Sequence, residues 1–532
     1  MNKALVIEPR LPAPRWRQWW PRLWAAGDGV RTVALPLPEP CGRVSAQYLS
    51  FAIDISVLAG GNWWEGSLKT HRGLGARRVA PLDLEAPKLN ALVSALGPAY
   101  LRIGGSEADH IHYLEPDPAD PQSLVLTAAI WDALHAFKTR HGLQLMFTVK
   151  YGLTRRSLHG HWSAAEFHRL AAHSRARGQT VEVLELGNEL NAYWAFHGLA
   201  SQPRARRLAE DYRRFAAAAA EAFPGVRLQG PGSAFWPRLG EAVKPFTNLT
   251  GPFLARCARM GTPLHIIDWH YYPYQSRRAP VRTRRATAAR MLSPRALDDF
   301  GRFAARLKHY RDTFYPNAEL WTGETGSAQC GGEPGLSDRF ASCFWWADQL
   351  GQGALCGQQV MVRQSLIGGD YGLIDRVKLR PRPDYWLSWL WQQLMGTSVL
   401  RVTSPHRRVR AYCHTHPGGG HTLLLINLSR TPVTIDVSTW GAGGAHYTLT
   451  AKRLDSRKVR INGRRAKFRK GRVTLEDFAT EAAPGPLPGT AIRFCHFPAG
   501  VPAAGVPAAG VPTATSPTAQ SAPRALPPGG AP

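Results

Sequence analysis

The chain is short of acid: 38 aspartates and glutamates stand against 66 lysines and arginines in 532 residues, a formal charge of +28. That imbalance points to an acidic partner: a polyanionic sugar, a nucleic acid or an anionic surface. A uniformly basic, Arg- and Ala-rich proteome is the bland alternative. Cysteine is sparse too. Seven residues, an odd number with no CxxC, argue against a disulfide scaffold and suggest small core residues. No run of about 18 apolar residues occurs, so no transmembrane helix is expected. The first twenty residues offer only one four-residue apolar run, at 4–7, too short for a signal-peptide core. The expectation is a cytoplasmic chain by default, with another export route left open. None of the recognisable nucleic-acid modules is present, so nucleic acid is not expected as a partner. What is plentiful is apolar: 44% of residues are hydrophobic and 18 are Trp. A large core is therefore within reach and global disorder is not expected.

Residues 1–45 are rich in Pro and Arg and hold one β-like run, 32–35, expected to add a strand to a downstream module. From 46 to 395, eight short apolar strand candidates (51–55, 100–103, 143–149, 181–186, 226–228, 266–270, 319–322 and 360–363) leave room for a helix after each. This alternation predicts an α/β chain, a (β/α)8 TIM barrel with ligand-facing residues at the C-terminal strand ends. Residues 396–496 change character. Strand-like runs at 409–413, 421–428, 433–437, 447–451 and 491–496 predict a small C-terminal antiparallel β-sandwich. The segment 497–532 repeats Ala-Gly-Val-Pro three times, carries a single charged residue, Arg524, and is expected to be disordered.

Two candidate strands deliver a carboxylate where a barrel keeps its active site. The fourth ends in LELGNE, at Glu189, and the seventh in WTGET, at Glu324. Glycoside hydrolysis needs such a pair, one carboxyl protonated to assist the leaving oxygen and the other ionised to attack the anomeric carbon. Asn188 is placed to hydrogen-bond a sugar 2-hydroxyl.

Six runs, YLSFAIDI (48–55), AYLRIGGS (99–106), LELGNE (184–189), DWHYY (268–272), WTGETGSA (321–328) and PDYWLSWLWQQLMGTSVL (383–400), with LSDRFAS, VRQSLIGG and DYGLID between them, resemble the heparanase family, the β-glucuronidases of glycoside hydrolase family 79. The resemblance covers about residues 45–400. It implies a retaining β-glucuronidase with Glu189 as acid/base and Glu324 as nucleophile, needing no cofactor and acting on an anionic polysaccharide or a glucuronide. Endo action on heparan-sulfate-like chains is the leading expectation, with exo action on terminal glucuronides the alternative. A non-catalytic polyanion-binding relative is a further one. By the same resemblance Asp54, Ser106, Asn188, His270, Tyr272 and Tyr371 contact the sugar, and Gly331 offers a backbone N–H to its carboxylate. Gln329 and Cys330 replace the Tyr-Gly usual in the family. A single-chain monomer without an excised linker is expected.

Each assignment has a bland counterpart. Asp54 could orient a neighbour, His270 and Tyr272 could be core hydrogen-bonders, and Tyr371 could pack a turn. Trp269 reads as a barrel-lining aromatic. His110 with His112, and Cys413 with His414 and His416, lack a second ligand pair, so no metal is expected. Cys413 and Cys495 fall on strands of one module, where a disulfide is open but free thiols are favoured. Arginines gather after DWHYY: Arg277, Arg278, Arg282, Arg284, Arg285, Arg290 and Arg295, with Arg238 after strand five. Arg238 and Arg285 resemble family cleft arginines. They are expected to bind anionic sugars flanking the cleaved bond, a solvated loop being the alternative. A second group of eleven basic residues spans 452–472.

Overall fold

The computed structural model describes residues 32–64, 70–71, 74–75, 77–118, 123–152, 161–237, 239–241, 248–441, 444–469, 471–480 and 484–499. The segment before residue 32, Arg238 and the expected disordered tail beyond residue 499 lie outside the described residues.

Eight parallel strands close on themselves: β1 (Leu49–Asp54), β2 (Tyr100–Gly104), β3 (Gln144–Val149), β4 (Val183–Leu186), β5 (Arg227–Trp236), β6 (Ile266–Tyr271), β7 (Glu319–Thr325) and β8 (Gln358–Gln364). Each pairs with the next, and β8 pairs back to β1. This is the expected TIM barrel. Its floor is a separate apolar layer in which Ala52, Tyr100, Met146, Val183, Ile266, Trp321, Val360 and Val362 pack inside the barrel. Alternation along each strand then places Asp54, Arg102, Thr148, Glu185 and Asp268 one layer higher on the inside. The outward residues face the helices. Trp269, fully buried, packs on Phe235 and Phe300, which makes it a sheet–helix core residue. The helix Ala205–Ala222 shows the logic of the outer ring: Leu208, Tyr212 and Phe215 face inward while Arg206, Arg213 and Arg214 face water.

Strand β7 breaks the alternation, and the break matters. Trp321 points inside, so strict alternation would turn Glu324 outward. The β6–β7 register slips between Trp269 and His270, so that Trp269 faces Thr322 and His270 faces Glu324. The extra residue is Gly323, whose N–H donates to Asp268 Oδ1 at 2.7 Å and where a Cβ would lie 2.0 Å from that oxygen. Such a bulge re-aims the following side chain.

The C-terminal module is an eight-stranded antiparallel sheet. In order it runs Glu39–Arg43, Ser398–Arg401, Val409–Thr415, His421–Asn427, Ala491–Phe497, His446–Thr450, Arg460–Ile461 and Arg464–Arg465. One face, with Tyr412, Leu424, Ile426 and Phe494, belongs to the same core as the barrel. The other, with Ala411, Cys413, Leu423 and Leu425, is covered by Leu35, Trp440 and a two-stranded parallel pair, Thr32–Ala34 with Thr434–Asp436. The second layer is thus smaller than an ordinary sandwich partner and parallel, while the barrel covers the opposite face. Phe497 ends a buried strand, so the sheet takes in the first residue of the segment expected to be tail. Polar contacts tie module to barrel: Arg410 meets Asp298 at 2.6 Å and the Tyr412 hydroxyl donates to Asp348 at 2.7 Å.

All seven thiols are free. Cys413 and Cys495 both face Leu423 on the strand between them. Two strand spacings, about 9.5 Å, exceed the reach of a disulfide. Among the described residues no helix is long and apolar enough to cross a membrane.

Candidate active site

The site stands on the C-terminal ends of β2, β4, β6 and β7 and is organised around one arginine. Arg102, fully buried on β2, points up the barrel axis. Its Nη1 lies 2.5 Å from Glu324 Oε2, and its Nη2 donates to Asn188 Oδ1 at 2.8 Å and to Glu185 Oε2 at 3.1 Å. Thr148 donates to the same Glu185 oxygen at 2.9 Å. Burial alone would raise the Glu185 carboxyl, but Arg102 and His270 outweigh it and hold it at about 2. Burial would likewise lower Arg102, yet Glu185, Glu324 and Asp268 push it above its ordinary value, so it stays charged.

Glu189 follows the turn that ends β4 and takes a left-handed backbone, φ 52° and ψ 48°. That conformation costs a residue with a Cβ about 1 kcal/mol or more and is tolerated where the surroundings impose it. The surroundings here are firm: Asn188 N–H donates to Asp109 Oδ2 at 3.0 Å, and Asn191, after Glu189, is held by Ala234 and Glu241. Glu189 is 5% exposed. Burial raises its carboxyl and the Glu324 charge adds to this, while the His270 hydrogen bond pulls the other way without winning.

Glu324 is fixed from two sides. Arg102 holds Oε2, and the Tyr272 hydroxyl donates to Oε1 at 2.6 Å. His270 sits between the two carboxylates, its Nδ1 at 3.3 Å from Glu189 Oε1 and 4.0 Å from Glu324 Oε2. The facing atoms of Glu189, His270 and Glu324 all lie within 4.8 Å of one another. Burial by itself would lower the imidazole, but Glu324, Glu185 and Glu189 push it up to about 10, so it is a cation at neutral pH. Asp268, raised to about 7 by burial and by Glu185, completes the cluster. Two cations, Arg102 and His270, thus stand among four carboxyls, two of which, Glu189 and Asp268, burial pushes toward the protonated form. Two His–carboxylate groupings here, Glu185-Asp268-His270 and Glu189-His270-Glu324, have ligand-like spacing. The Arg102 guanidinium already sits among them, supplying the positive charge that an ion would bring.

Around this pair the other expected residues fall into two groups. Asp54 is buried at the end of β1, where it accepts from Ser56 N–H at 3.0 Å and Gln364 Nε2 at 3.2 Å. Burial carries its carboxyl up to about 7, with Glu324 and Glu107 adding to the rise. It orients neighbours as well as facing the site. Gly105 (φ 103°) passes so close that a Cβ would lie 2.1 Å from Asp54 Oδ2, and Ser106 opens the short turn that follows. Tyr371 is buried, its ring 6.4 Å from that of Tyr272, and its backbone N–H donates to the Gly331 carbonyl at 3.3 Å. Gly331 (φ 76°) packs on Trp64, where a Cβ would meet the Trp64 Cβ at 2.3 Å. Cys330 is left-handed too, φ 55°. The Gln329 N–H donates to the Tyr274 carbonyl at 3.0 Å and so is not available to a substrate carboxylate.

The arginine loop after β6 differs from the expected free basic arm. Arg277 pairs with Glu333 at 2.6 Å, Arg278 is buried against Asp370 and two loop carbonyls, and Arg284 is tied to Asp299 and lies over the Tyr274 ring. These three brace the loop, because its acidic neighbours lie outside the arginine run in sequence. Arg285 is exposed and has no ion pair among the described residues. Arg238 cannot be placed, since it lies outside them.

Sequence reasoning missed Arg102, Glu185, Asp268 and Asp109. The signal was present in the first three. Charged residues at inward positions of otherwise apolar strands are retained only when paired.

Residues 269–351 match the family model described as Glycosyl hydrolase family 79, N-terminal domain. The chain is 28% identical over 493 residues to the heparanase of Gallus gallus, covering 81% of this chain and 87% of that protein. It is 30% identical over 470 residues to the heparanase of Mus musculus, covering 76% and 79%. In three dimensions it resembles a 4-O-α-L-rhamnosyl-β-D-glucuronidase from Fusarium oxysporum, with a TM-score of 0.61 and 15% identity over 87% of this chain and 100% of that one. That likeness speaks for the barrel-plus-sheet fold. By sequence identity and coverage, the chain belongs to the heparanase family, glycosyl hydrolase family 79.

Proposed function

We propose that this glycoside hydrolase is a retaining β-glucuronidase acting within anionic, heparan-sulfate-like chains, with Glu189 as acid/base and Glu324 as nucleophile. The observation that carries the proposal is the carboxylate pair, whose facing oxygens lie within 4.8 Å of each other. Retaining enzymes hold their carboxyls about 5–5.5 Å apart, whereas inverting ones need about 6.5–9.5 Å for an interposed water. In the first step Glu324, the carboxylate paired with Arg102, attacks the anomeric carbon. Glu189, whose carboxyl burial raises, gives its proton to the departing glycosidic oxygen. A glycosyl ester on Glu324 results. Glu189, now a carboxylate, takes a proton from water, whose oxygen displaces Glu324 and restores the original configuration. Asn188, its Oδ1 occupied by Arg102, has its amide nitrogen left to meet the sugar 2-hydroxyl.

The substrate class rests on the relatives' name and on the excess of positive charge. A cavity of about 870 Å³ is lined by Glu107, Asp109, His110, Lys150 and Glu166 among others, and Asp109 also holds the backbone of Asn188. Neither catalytic carboxylate lines this cavity, so the choice between endo and exo action rests on the digestion below. An exo reading draws support from the near-complete burial of both carboxylates. Digestion of size-defined heparan sulfate, followed by gel filtration with Glu324→Gln as the blank, tests the proposal. Falling polymer size that vanishes in the variant supports it. An unchanged polymer with release from an aryl β-glucuronide favours exo action, and inertness on both refutes the glucuronidase reading.

A further inference from the structure

The 452–472 segment holds eleven basic residues and one acidic residue, Asp455. All ten of the basic residues described there are exposed. Among the described residues, only Asp455 and Asp338 pair with them. Its strands Arg460–Ile461 and Arg464–Arg465 form a tight hairpin through Asn462 and Gly463, both at positive φ. That register sets Arg460 directly opposite Arg465, and a further bridge sets Arg469 opposite Arg472. Like charges facing each other across a ladder oppose folding. The segment is nonetheless firmly seated. Val459 and Ile461 are buried in the main core, and the Phe468 ring packs on Tyr385 and Trp386 at 6.0 and 5.8 Å. It is also fastened to the barrel loop that carries Gly331. The N–H groups of Phe340 and Ala341 donate to the carbonyls of Ser456 and Leu454, and Arg457 reaches Asp338 at 3.4 Å.

A rigid array of cations, strained by its own repulsion and anchored beside the loop that enters the active site, suits a long partner with closely repeated negative charge. Aromatic stacking platforms of the kind that single-stranded nucleic acid uses are missing from its exposed side, since the one aromatic, Phe468, faces the barrel. We infer that the 452–472 hairpin is an exosite for a linear polysaccharide bearing sulfate and uronate groups, engaging the chain away from the sugar being cleaved. The inference rests on the proposed glucuronidase reading for its choice of partner.

The test compares the full chain with a variant carrying Arg460→Gln, Arg464→Gln, Arg465→Gln and Lys467→Gln, each also in a Glu324→Gln background so that heparin binding is read without hydrolysis. A variant in which the three arginines become lysine controls for charge. The neutral variant should bind heparin at least tenfold more weakly. Its slope of log affinity against log salt should be shallower by about 3, since each lost ionic contact removes about 0.7–0.9. The lysine variant should bind as the parent does, and aryl β-glucuronide hydrolysis should be unchanged in both. Unaltered heparin affinity in the neutral variant overturns the inference. So does a parent that binds duplex DNA or anionic phosphatidylserine vesicles as tightly as heparin and loses all to the same degree. If the parent cleaves neither heparan sulfate nor the aryl glucuronide, the glucuronidase reading falls while the heparin measurement in the Glu324→Gln background still decides the exosite.

Discussion

Arg102→Met is the sharpest perturbation of this molecule, because it separates what the arginine does for folding from what it does for catalysis. Methionine roughly keeps the reach and removes the charge. Glu185, fully buried, would lose the guanidinium that holds its carboxyl at about 2 against a usual 4.5. At about 1.4 kcal/mol per unit, that depression corresponds to roughly 3 kcal/mol of native stability, in line with the 3–5 kcal/mol lost when one member of a buried pair is removed. The sign follows from the direction of the shift. A depressed carboxyl stabilises the fold above its unfolded value near 4.5 and loses that contribution as pH falls toward 2. In the variant, burial raises Glu185 instead, so protonation relieves it on acidification. The stability gap between parent and variant should therefore be widest near neutrality and shrink from about pH 5 downward. Urea unfolding followed by tryptophan fluorescence at neutral and acid pH reads this directly. Turnover of an aryl β-glucuronide should fall about a hundredfold or more, since Glu324 loses a charged partner at 2.5 Å. A gap that is absent at neutrality, or equally wide at acid pH, would refute the reasoning.

Other outcomes follow from the same geometry. Glu189→Ala should lower kcat/KM on a phenyl glucuronide by about 10²–10⁴-fold and much less on a dinitrophenyl one, and azide should restore turnover. Because Glu189 must be protonated and burial raises it, the parent's rate should fall on the alkaline side of that raised value. The Ala variant should lack this limb on the dinitrophenyl substrate. Gly331→Ala should destabilise by about 1–3 kcal/mol, seen as a lower Tm, because a Cβ there strains a φ of 76° and meets Trp64. A thiol titration of denatured, unreduced protein should count seven free thiols.

The barrel was legible because its strands announce themselves as apolar runs spaced for helices, and each observed strand overlaps an expected one. The carboxylate pair was legible for the same reason, being the residues on which two such runs end. What alternation could not show was direction. Read with a period of two from Trp321, Glu324 belongs on the outside of β7, and only the extra residue at Gly323, held by Asp268, turns it inward. The bulge depends on Asp268, 55 positions away and one strand over, so no local pattern contains it. The roles of the arginines were hidden by the same distance. Arg284 and Arg285 are neighbours in sequence, yet one is bound to Asp299 and the other is exposed. Charge counted along a chain measures how much is there, and pairing in space decides how much is left for a substrate. By that measure Arg277, Arg278 and Arg284 are spent on their own loop, while Arg282, Arg285, Arg290 and Arg295 stay exposed without an ion pair among the described residues. In the 452–472 hairpin ten described cations, all exposed, face only two paired carboxylates, so most of its charge is left over.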